Sequence, residues 1–157
     1  MKSANTKVRV EKLEIDDLDR FVEVIKLFEE VFEMRNFSMP SSQHLLKLLS
    51  KTDFFVFAAF SENRVVGALT AYVLEQYYAE RPLAYIYDLG VAIHFQRQGI
   101  GKRLIAEMNS FCQESGFEEV FVQAEQEDEH AVEFYRSTKP TKEELAIHFS
   151  YMLDKKK

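Results

Sequence analysis

Apolar and polar positions alternate along the chain with two periods, and the changes of period mark out its elements. Residues Val8 to Leu13 alternate, a short strand pattern. From Ile15 to Met34 the period becomes helical, with Leu18, Phe21, Val22, Ile25, Phe28, Val31 and Phe32 on one stripe. Pro40-Ser41-Ser42 interrupts the chain, and Leu45, Leu46, Leu48 and Leu49 define a second, shorter helix with Ser41 or Ser42 as its cap. Asp53 to Phe60 and Val65 to Leu74 are apolar runs joined by a four-residue turn, which predicts a hairpin. Leu83 to Ile93 is a third apolar strand, broken by Asp88 and Gly90. Ile100, Leu104, Ile105, Met108, Phe111 and Cys112 share one face of a helix that should stop at Ser115-Gly116. A strand over Val120 to Ala124, an acidic loop, a helix from His130 to Ser137 and a last strand from Leu145 to Leu153 complete the pattern. The order predicts a single α/β domain over the 157 residues, a mixed sheet with helices on both faces.

Composition narrows the setting. Apolar residues are 46% and charged residues 29%, ordinary values for a folded domain, and 14 Phe with 7 Tyr supply the bulk of a core that has no Trp. A net charge of −6 disfavours nucleic acid and mildly favours a cationic ligand. The single cysteine, Cys112, has no partner for an internal disulfide, which suits a reducing cytoplasm. Met1 to Val10 has no apolar stretch of signal-peptide length and no run approaches membrane length, so neither a leader nor a membrane span is expected, and Lys155–Lys157 reads as a solvated tail. His44, His94, His130 and His148 lack the spacing of a metal site, so no metal is expected.

The chemistry concentrates after the third apolar strand, in Gln96-Arg97-Gln98-Gly99-Ile100-Gly101-Lys102. A helix that starts directly after a glycine turn presents unpaired N–H groups, and glycine lets an anion approach them. Here Gln98 to Lys102 would supply those groups, and Arg97, Lys102 and Arg103 put positive charge into an acidic chain. A P-loop is excluded, because Gly101-Lys102 is followed by Arg103 and the first glycine is missing. A dinucleotide fingerprint would need glycine where Leu104 stands. An ordinary strand–turn–helix link stays open on these residues alone.

The full spacing Gln96-x-x-Gly99-x-Gly101 after the strand Tyr85 to Ile93 resembles the coenzyme A pyrophosphate motif of the GNAT acetyltransferases. The resemblance covers roughly residues 53 to 153. It implies a GNAT fold whose central strand bulges and splays near Gly90, with the backbone of Leu89 and Val91 free to pair with the pantetheine arm. It makes Gln96, Arg97, Gln98, Gly99, Ile100, Gly101 and Lys102 cofactor-binding, and acetyl-CoA the donor. Asp128-x-x-Ala131-x-x-Phe134-Tyr135 is similar to the family's second motif, which implies further cofactor contacts at Asp128 and Ala131 and places Tyr135 near the coenzyme thiol. Family members usually follow that tyrosine with a Gly-Phe turn, whereas this chain reads Arg136-Ser137-Thr138-Lys139-Pro140. Val66 to Leu74, Ile86-Tyr87-Asp88-Leu89, Phe121 to Glu125 and His148-Phe149 resemble the GNAT-type aminoglycoside 3-N-acetyltransferases. That branch implies transfer to a 3-amino group of a polycationic antibiotic, and the superfamily implies a homodimer.

Amine acetylation needs a base for the ammonium proton, a donor for the oxyanion and an acid for the departing thiolate. Asp88, in an apolar strand beside the implied bulge, is the candidate base, and Tyr135 the candidate acid. A structural Asp88 that bonds a loop backbone is the competing reading. For the acceptor, Tyr87, Asp88, Glu29, Glu33, Glu125, Glu127 and Asp128 are candidate contacts, their carboxylates matching a polycation. A GNAT enzyme for a polyamine or peptide amine, or an acyl-CoA-binding module without turnover, are the alternatives.

Overall fold

The Phe-, Val- and Ala-rich middle of the chain forms the centre of a five-stranded sheet. The computed structural model describes residues 7–154, so the Lys155–Lys157 tail lies outside the described residues. The strands are β1 (Val8–Lys12), β2 (Phe54–Ser61), β3 (Arg64–Leu74), β4 (Leu83–Val91) and β5 (Glu119–Val122), in spatial order β1-β2-β3-β4-β5. The first three pairings are antiparallel and the last, β4 with β5, is parallel. The helices are α1 (Leu18–Val31), α2 (Ser42–Leu49), α3 (Ile100–Glu114) and α4 (Glu129–Ser137). The chain divides into two compact units between Gln123 and Ala124.

In the first unit, strand alternation sorts side chains onto two faces. Phe54, Val56, Ala58 and Ala68 belong to one core cluster with Phe21, Val24 and Phe28 of α1 and Leu45 of α2. The opposite face packs on α3, where Phe111 meets Phe55 and Phe57 edge-on at 5.1 and 5.8 Å. Leu104 and Met108 are fully buried there. Each such side chain stabilises the fold by about 1.5–3 kcal/mol.

Two glycines allow the helices to come close. A Cβ at Gly67 would lie 3.1 Å from Ile100 of α3, and one at Gly90 would lie 3.3 Å from both Phe28 and Phe32 of α1. Gly67 pairs with Val91 and Gly90 with Ala68, adjacent rungs that point to opposite faces. Helices α1 and α3 therefore cover opposite sides of the sheet.

Turns follow the sequence chemistry. Glu62 and Asn63 both take positive φ, 50° and 65°, as a two-residue hairpin turn requires. Arg20 of α1 donates to the Asn63 carbonyl and side chain at 2.9 and 2.6 Å, tying helix to hairpin. Ser41 caps α2 by accepting from the His44 N–H at 3.1 Å.

The second unit holds α4. The Asp128 carboxylate accepts from the Ala131 N–H at 3.1 Å and caps the helix. The glycine expected after α4 is absent, and Lys139 takes the left-handed conformation instead, at φ 60°. Arg136 then grips Glu143 with two bonds, 3.0 and 2.7 Å. The expected last strand is not formed: residues 142–154 carry neither helix nor strand. Their alternation is real, but no neighbouring strand pairs with them, and a strand exists only through its ladder.

Candidate active site

Strand β4 carries the centre of the site, and one extra residue shapes it. Thr70 pairs with Asp88, yet the next residue of β3, Ala71, pairs with Ile86. Tyr87 is the unpaired residue of a β-bulge. The bulge lies here and not at Gly90, where the resemblance suggested it. Gly90 is needed instead for the close approach of Phe28 and Phe32.

The bulge shifts the alternation, so that Asp88 and Tyr85, three residues apart, fall on the same face, opposite Thr70 and Tyr72. Ala68, Thr70 and Tyr72 alternate on β3, which places this group on the α1 side of the sheet. The Tyr87 ring meets Tyr72 and Tyr85 edge-on at 5.5 and 5.9 Å. Tyr85 stacks on Phe121 of β5 at 4.8 Å, and its hydroxyl donates to the Gln123 side chain at 3.0 Å. Tyr72 and Tyr85 were not singled out from the sequence: Tyr72 stands two residues from Thr70, but Tyr85 lies three from Asp88, an odd spacing that hides their shared face until the bulge is seen.

Asp88 is partly buried, and burial pushes its carboxyl pKa above the ordinary range. The Tyr72 hydroxyl is also pushed up, first by burial and then by the charges of Tyr87 and Asp88. Tyr72 and Asp88 thus sense one another, and a carboxyl of raised pKa is a stronger base.

Beyond the bulge, β4 loses its parallel neighbour. Pairing with β5 ends at Ile86 opposite Val122, while β4 continues to Val91. The Ala92 N–H donates to the Val66 carbonyl at 2.8 Å, which fixes the orientation of alternate peptide groups. Gly90 therefore bonds towards β3, and the N–H and C=O groups of Leu89 and Val91 point to the side that β5 has left. The Val91 carbonyl there accepts from the Gln96 side chain at 2.9 Å. Gln96 is thus a brace across the opening.

A 3-10 turn, Ile93–Phe95, leads into the glycine segment. Arg97 and Gly99 both take left-handed conformations, φ 62° and 85°. Gly99 is the N-cap of α3 and offers no side chain to the helix N–H groups. The first intrahelical bond is that of Arg103 N–H to the Gly99 carbonyl, 3.0 Å, so the N–H groups of Ile100, Gly101 and Lys102 have no partner within the helix. Open space surrounds the position of a Gly99 Cβ. Arg97, Gln98 and Lys102 are exposed around it, and the Gln98 side chain donates to the His94 carbonyl at 3.3 Å. Arg103 is committed elsewhere, to the Val8 carbonyl of β1. Ile100 turns its side chain into the core, so it serves the turn through its backbone.

Among the acidic candidates, Glu29 and Glu33 stand at the end of α1, beside the phenylalanines that press on Gly90. The helix closes with Met34 N–H on the Glu29 carbonyl at 3.0 Å and Glu33 N–H on the Glu30 carbonyl at 3.3 Å. This termination places Glu33 in the left-handed region, φ 51°, which ordinarily favours glycine. Glu125, Glu127, Asp128, Ala131 and Tyr135 belong to the second unit. Asp128 is occupied as the cap of α4, Glu125 and Glu127 are exposed, and Tyr135 is partly buried against Phe134 at 5.0 Å.

A strand that bulges, parts from its parallel neighbour and runs into an uncapped helix start is the frame of this site. The chain belongs to the acetyltransferase (GNAT) family, whose model matches residues 21–138. An aminoglycoside acetyltransferase from an uncultured soil metagenomic sample, meta-AAC0020 in complex with trehalose, is 59% identical, with a TM-score of 0.92 over 94% of this chain and 97% of that one. The same protein has been solved in complex with sisomicin. A second soil aminoglycoside acetyltransferase, HMB0005, is 31% identical, with a TM-score of 0.87 over 94% of this chain and 99% of the other. The aminoglycoside N-acetyltransferase AAC(6′)-Iy, in complex with CoA, shares the fold at 14% identity and a TM-score of 0.76, over 98% of this chain and all of the other. No curated protein matches the chain. It is an acetyltransferase with a mixed sheet of the GNAT kind.

Proposed function

We propose that the enzyme transfers acetyl from acetyl-CoA to the 3-amino group of an aminoglycoside antibiotic, and so confers resistance as a cytoplasmic homodimer. The observation that carries the donor is the split between β4 and β5, with the peptide groups of Leu89 and Val91 facing the gap and the open N-terminus of α3 beyond it. Those peptide groups suit the amides of a pantetheine arm, and the N–H groups from Ile100 to Lys102, with Arg97 and Lys102 alongside, suit a pyrophosphate. The acceptor rests on the 59%-identical aminoglycoside acetyltransferase and on this chain's own Tyr72, Tyr85, Tyr87 and Asp88. Tyrosine rings offer sugars apolar faces, and Asp88, Glu29 and Glu33 offer ammonium groups charge.

Acetyl-CoA supplies an activated thioester. Asp88 takes a proton from the substrate ammonium, directly or through water, and frees the amine to attack. The Leu89 N–H stabilises the developing oxyanion, because the Gly90 N–H is turned towards β3. Tyr135 returns a proton to the departing sulfur.

The test is a thiol-release assay with gentamicin, kanamycin, spermidine and a peptide, the product's acetylated amine then located by NMR. Turnover confined to aminoglycosides, at the 3-amino group, is expected. Turnover of spermidine or the peptide alone rejects the aminoglycoside reading. No thiol release with any amine leaves an acyl-CoA-binding module. Cys112 is 1% exposed and burial pushes its thiol up to about 11, so a thiol reagent reads the coenzyme and not the enzyme.

A further inference from the structure

The contact between Tyr85 and Gln123 plays no part in the proton transfers at Asp88 and Tyr135, yet it stands in the same site. Tyr85 pairs in register with Phe121 across the parallel β4–β5 ladder and stacks on it, the ring planes 9° apart. Gln123 lies two residues beyond Phe121, so alternation returns its side chain to the same face. That face, on the α1 side, also carries Thr70, Tyr72 and Asp88. Gln123 is exposed, and it is the first residue past the last rung, Ile86 opposite Val122. It therefore stands at the fork where the two strands part, level with the bulged Tyr87.

One hydrogen bond decides what Gln123 can offer there. A glutamine amide has one acceptor oxygen and two N–H donors. The Tyr85 hydroxyl donates to Gln123 Oε1 at 3.0 Å, which commits the oxygen. Among the described residues no acceptor takes the Nε2 protons. The amide is thus held as a donor. The ionisable groups nearby have the opposite sense, since Asp88, and Glu29 and Glu33 at the end of α1, accept when charged. Carboxylates reward any polyamine. A fixed neutral donor finds nothing to bond on an ammonium group, which carries donors alone, and is satisfied by a hydroxyl or ring oxygen.

We infer that Gln123, held by Tyr85, is a specificity-determining residue of the acceptor site, whose N–H groups donate to a hydroxyl or ring oxygen and so favour an aminosugar over a simple polyamine. The inference rests on the aminoglycoside reading of that site. The acceptor is preferred over the coenzyme as the partner because Gln123 lies on the α1 face. Helix α3, whose open start suits the pyrophosphate, covers the other face. Tyr85 acts through Gln123 and is a positioning residue.

Steady-state kinetics of Gln123→Met, Gln123→Glu and Tyr85→Phe test it, with acetyl-CoA and the better turned over of gentamicin and kanamycin. Methionine fills a similar volume without a donor. In Gln123→Met the aminoglycoside Michaelis constant should rise about tenfold or more, with that of acetyl-CoA and the melting temperature unchanged. Gln123→Glu adds negative charge beside a polycation, so mere proximity to ammonium groups would tighten the aminoglycoside, whereas loss of a required donor weakens it. Weakening is expected. Tyr85→Phe keeps the stack on Phe121 and frees the amide to turn. It should raise the same constant a few-fold in the wild-type background and leave it alone in Gln123→Met. An aminoglycoside constant unchanged in Gln123→Met, or lowered in Gln123→Glu, overturns the inference while wild-type turnover upholds the aminoglycoside reading. A rise in the acetyl-CoA constant instead places Gln123 on the coenzyme and also overturns it. No wild-type turnover of either aminoglycoside rejects that reading, and the inference with it.

Discussion

Gly90 and Phe28 meet so closely that a Cβ on the glycine would stand 3.3 Å from the phenylalanine ring. Phe32 stacks on Phe28 at 5.2 Å and closes on the same point, so the last turn of α1 rests on β4 through these three residues. Gly90→Val overfills the contact. Overpacking of this kind costs about 1–3 kcal/mol, and thermal unfolding should register it. Because Glu29 and Glu33 ride on the displaced turn, the acceptor Michaelis constant should rise more than that of acetyl-CoA. Wild-type melting and unchanged constants would show that the contact has slack.

Asp88→Asn preserves shape and removes the proposed base. Turnover should fall by roughly 10²-fold or more, with coenzyme binding little altered and the acidic limb of the rate profile flattened. Stability should move the other way. The folded Asp88 carboxyl holds its proton at pH values where the unfolded chain has released it, so wild-type stability falls as pH rises from the ordinary carboxylate pKa through the raised folded value. The asparagine variant lacks this loss. It should melt higher than wild type at neutral pH, and the difference should vanish in acid. Full activity with an unaltered pH profile would assign Asp88 a structural role. Tyr135→Phe should lower turnover less, since water can protonate a thiolate.

Gly99→Asp separates fold from cofactor. Aspartate is among the side chains that best tolerate the left-handed region and meets nothing within 4 Å here, so the backbone strain should cost only about 1 kcal/mol. The variant should still fold while its added charge repels a pyrophosphate. Acetyl-CoA affinity should fall more than tenfold, about 1.4 kcal/mol or above, in a calorimetric titration. Gly101→Val should weaken the coenzyme likewise. Retained affinity in both would detach the turn from the cofactor.

Much of this was legible before the structure. The apolar runs located β1 to β4 and α1 to α3 because their burial is one-sided or complete, and burial dictates spacing. Gln96 to Gly101 announced the turn because only glycine takes φ 85° at Gly99 without cost. The bulge was misplaced for a physical reason. Gly90 looked like a bulge residue, whereas Tyr87 bulges with nothing in its type to announce it. Tyr72 was passed over because a tyrosine in a strand is ordinary, and its interest comes from Asp88 across the ladder. The strand over Leu145 to Leu153 failed to form because periodicity records what a segment could bury, and the partner it needs lies outside it.

Glu33 occupies a position that glycine would hold more easily, at a cost on the order of 1 kcal/mol. Glu33→Gly should therefore stabilise the fold slightly in chemical denaturation. If the carboxylate faces a polycation, the same variant should raise the aminoglycoside Michaelis constant several-fold and leave that for acetyl-CoA alone. Gain of stability with no kinetic change would remove Glu33 from the acceptor site.

Salt should discriminate between the two substrates. Ion pairs at partly exposed carboxylates are screened over about 8–10 Å at ordinary ionic strength. Between low and moderate salt, the Michaelis constant for an aminoglycoside should climb more steeply than that for acetyl-CoA. Charge reversal at Glu125 and Glu127 should blunt the slope if that loop contributes. Equal slopes for both substrates would argue against carboxylate recognition of the acceptor.

The single extra residue at Tyr87 makes β4 a strand whose two halves are out of phase. Everything before it counts faces one way and everything after it the other, so the residues that follow owe their side of the sheet to an insertion and not to their own chemistry. Removing Tyr87 would leave a regular ladder, with Ile86 and Asp88 on successive rungs and Asp88 still opposite Thr70 on the α1 side. A ladder that kept Tyr87 and paired it opposite Thr70 would instead turn the downstream half over, sending Asp88 towards α3 and bringing Leu89 out in its place. The face that carries Asp88 is in this sense a matter of parity: Asp88 stands where it does because one residue of the strand goes uncounted.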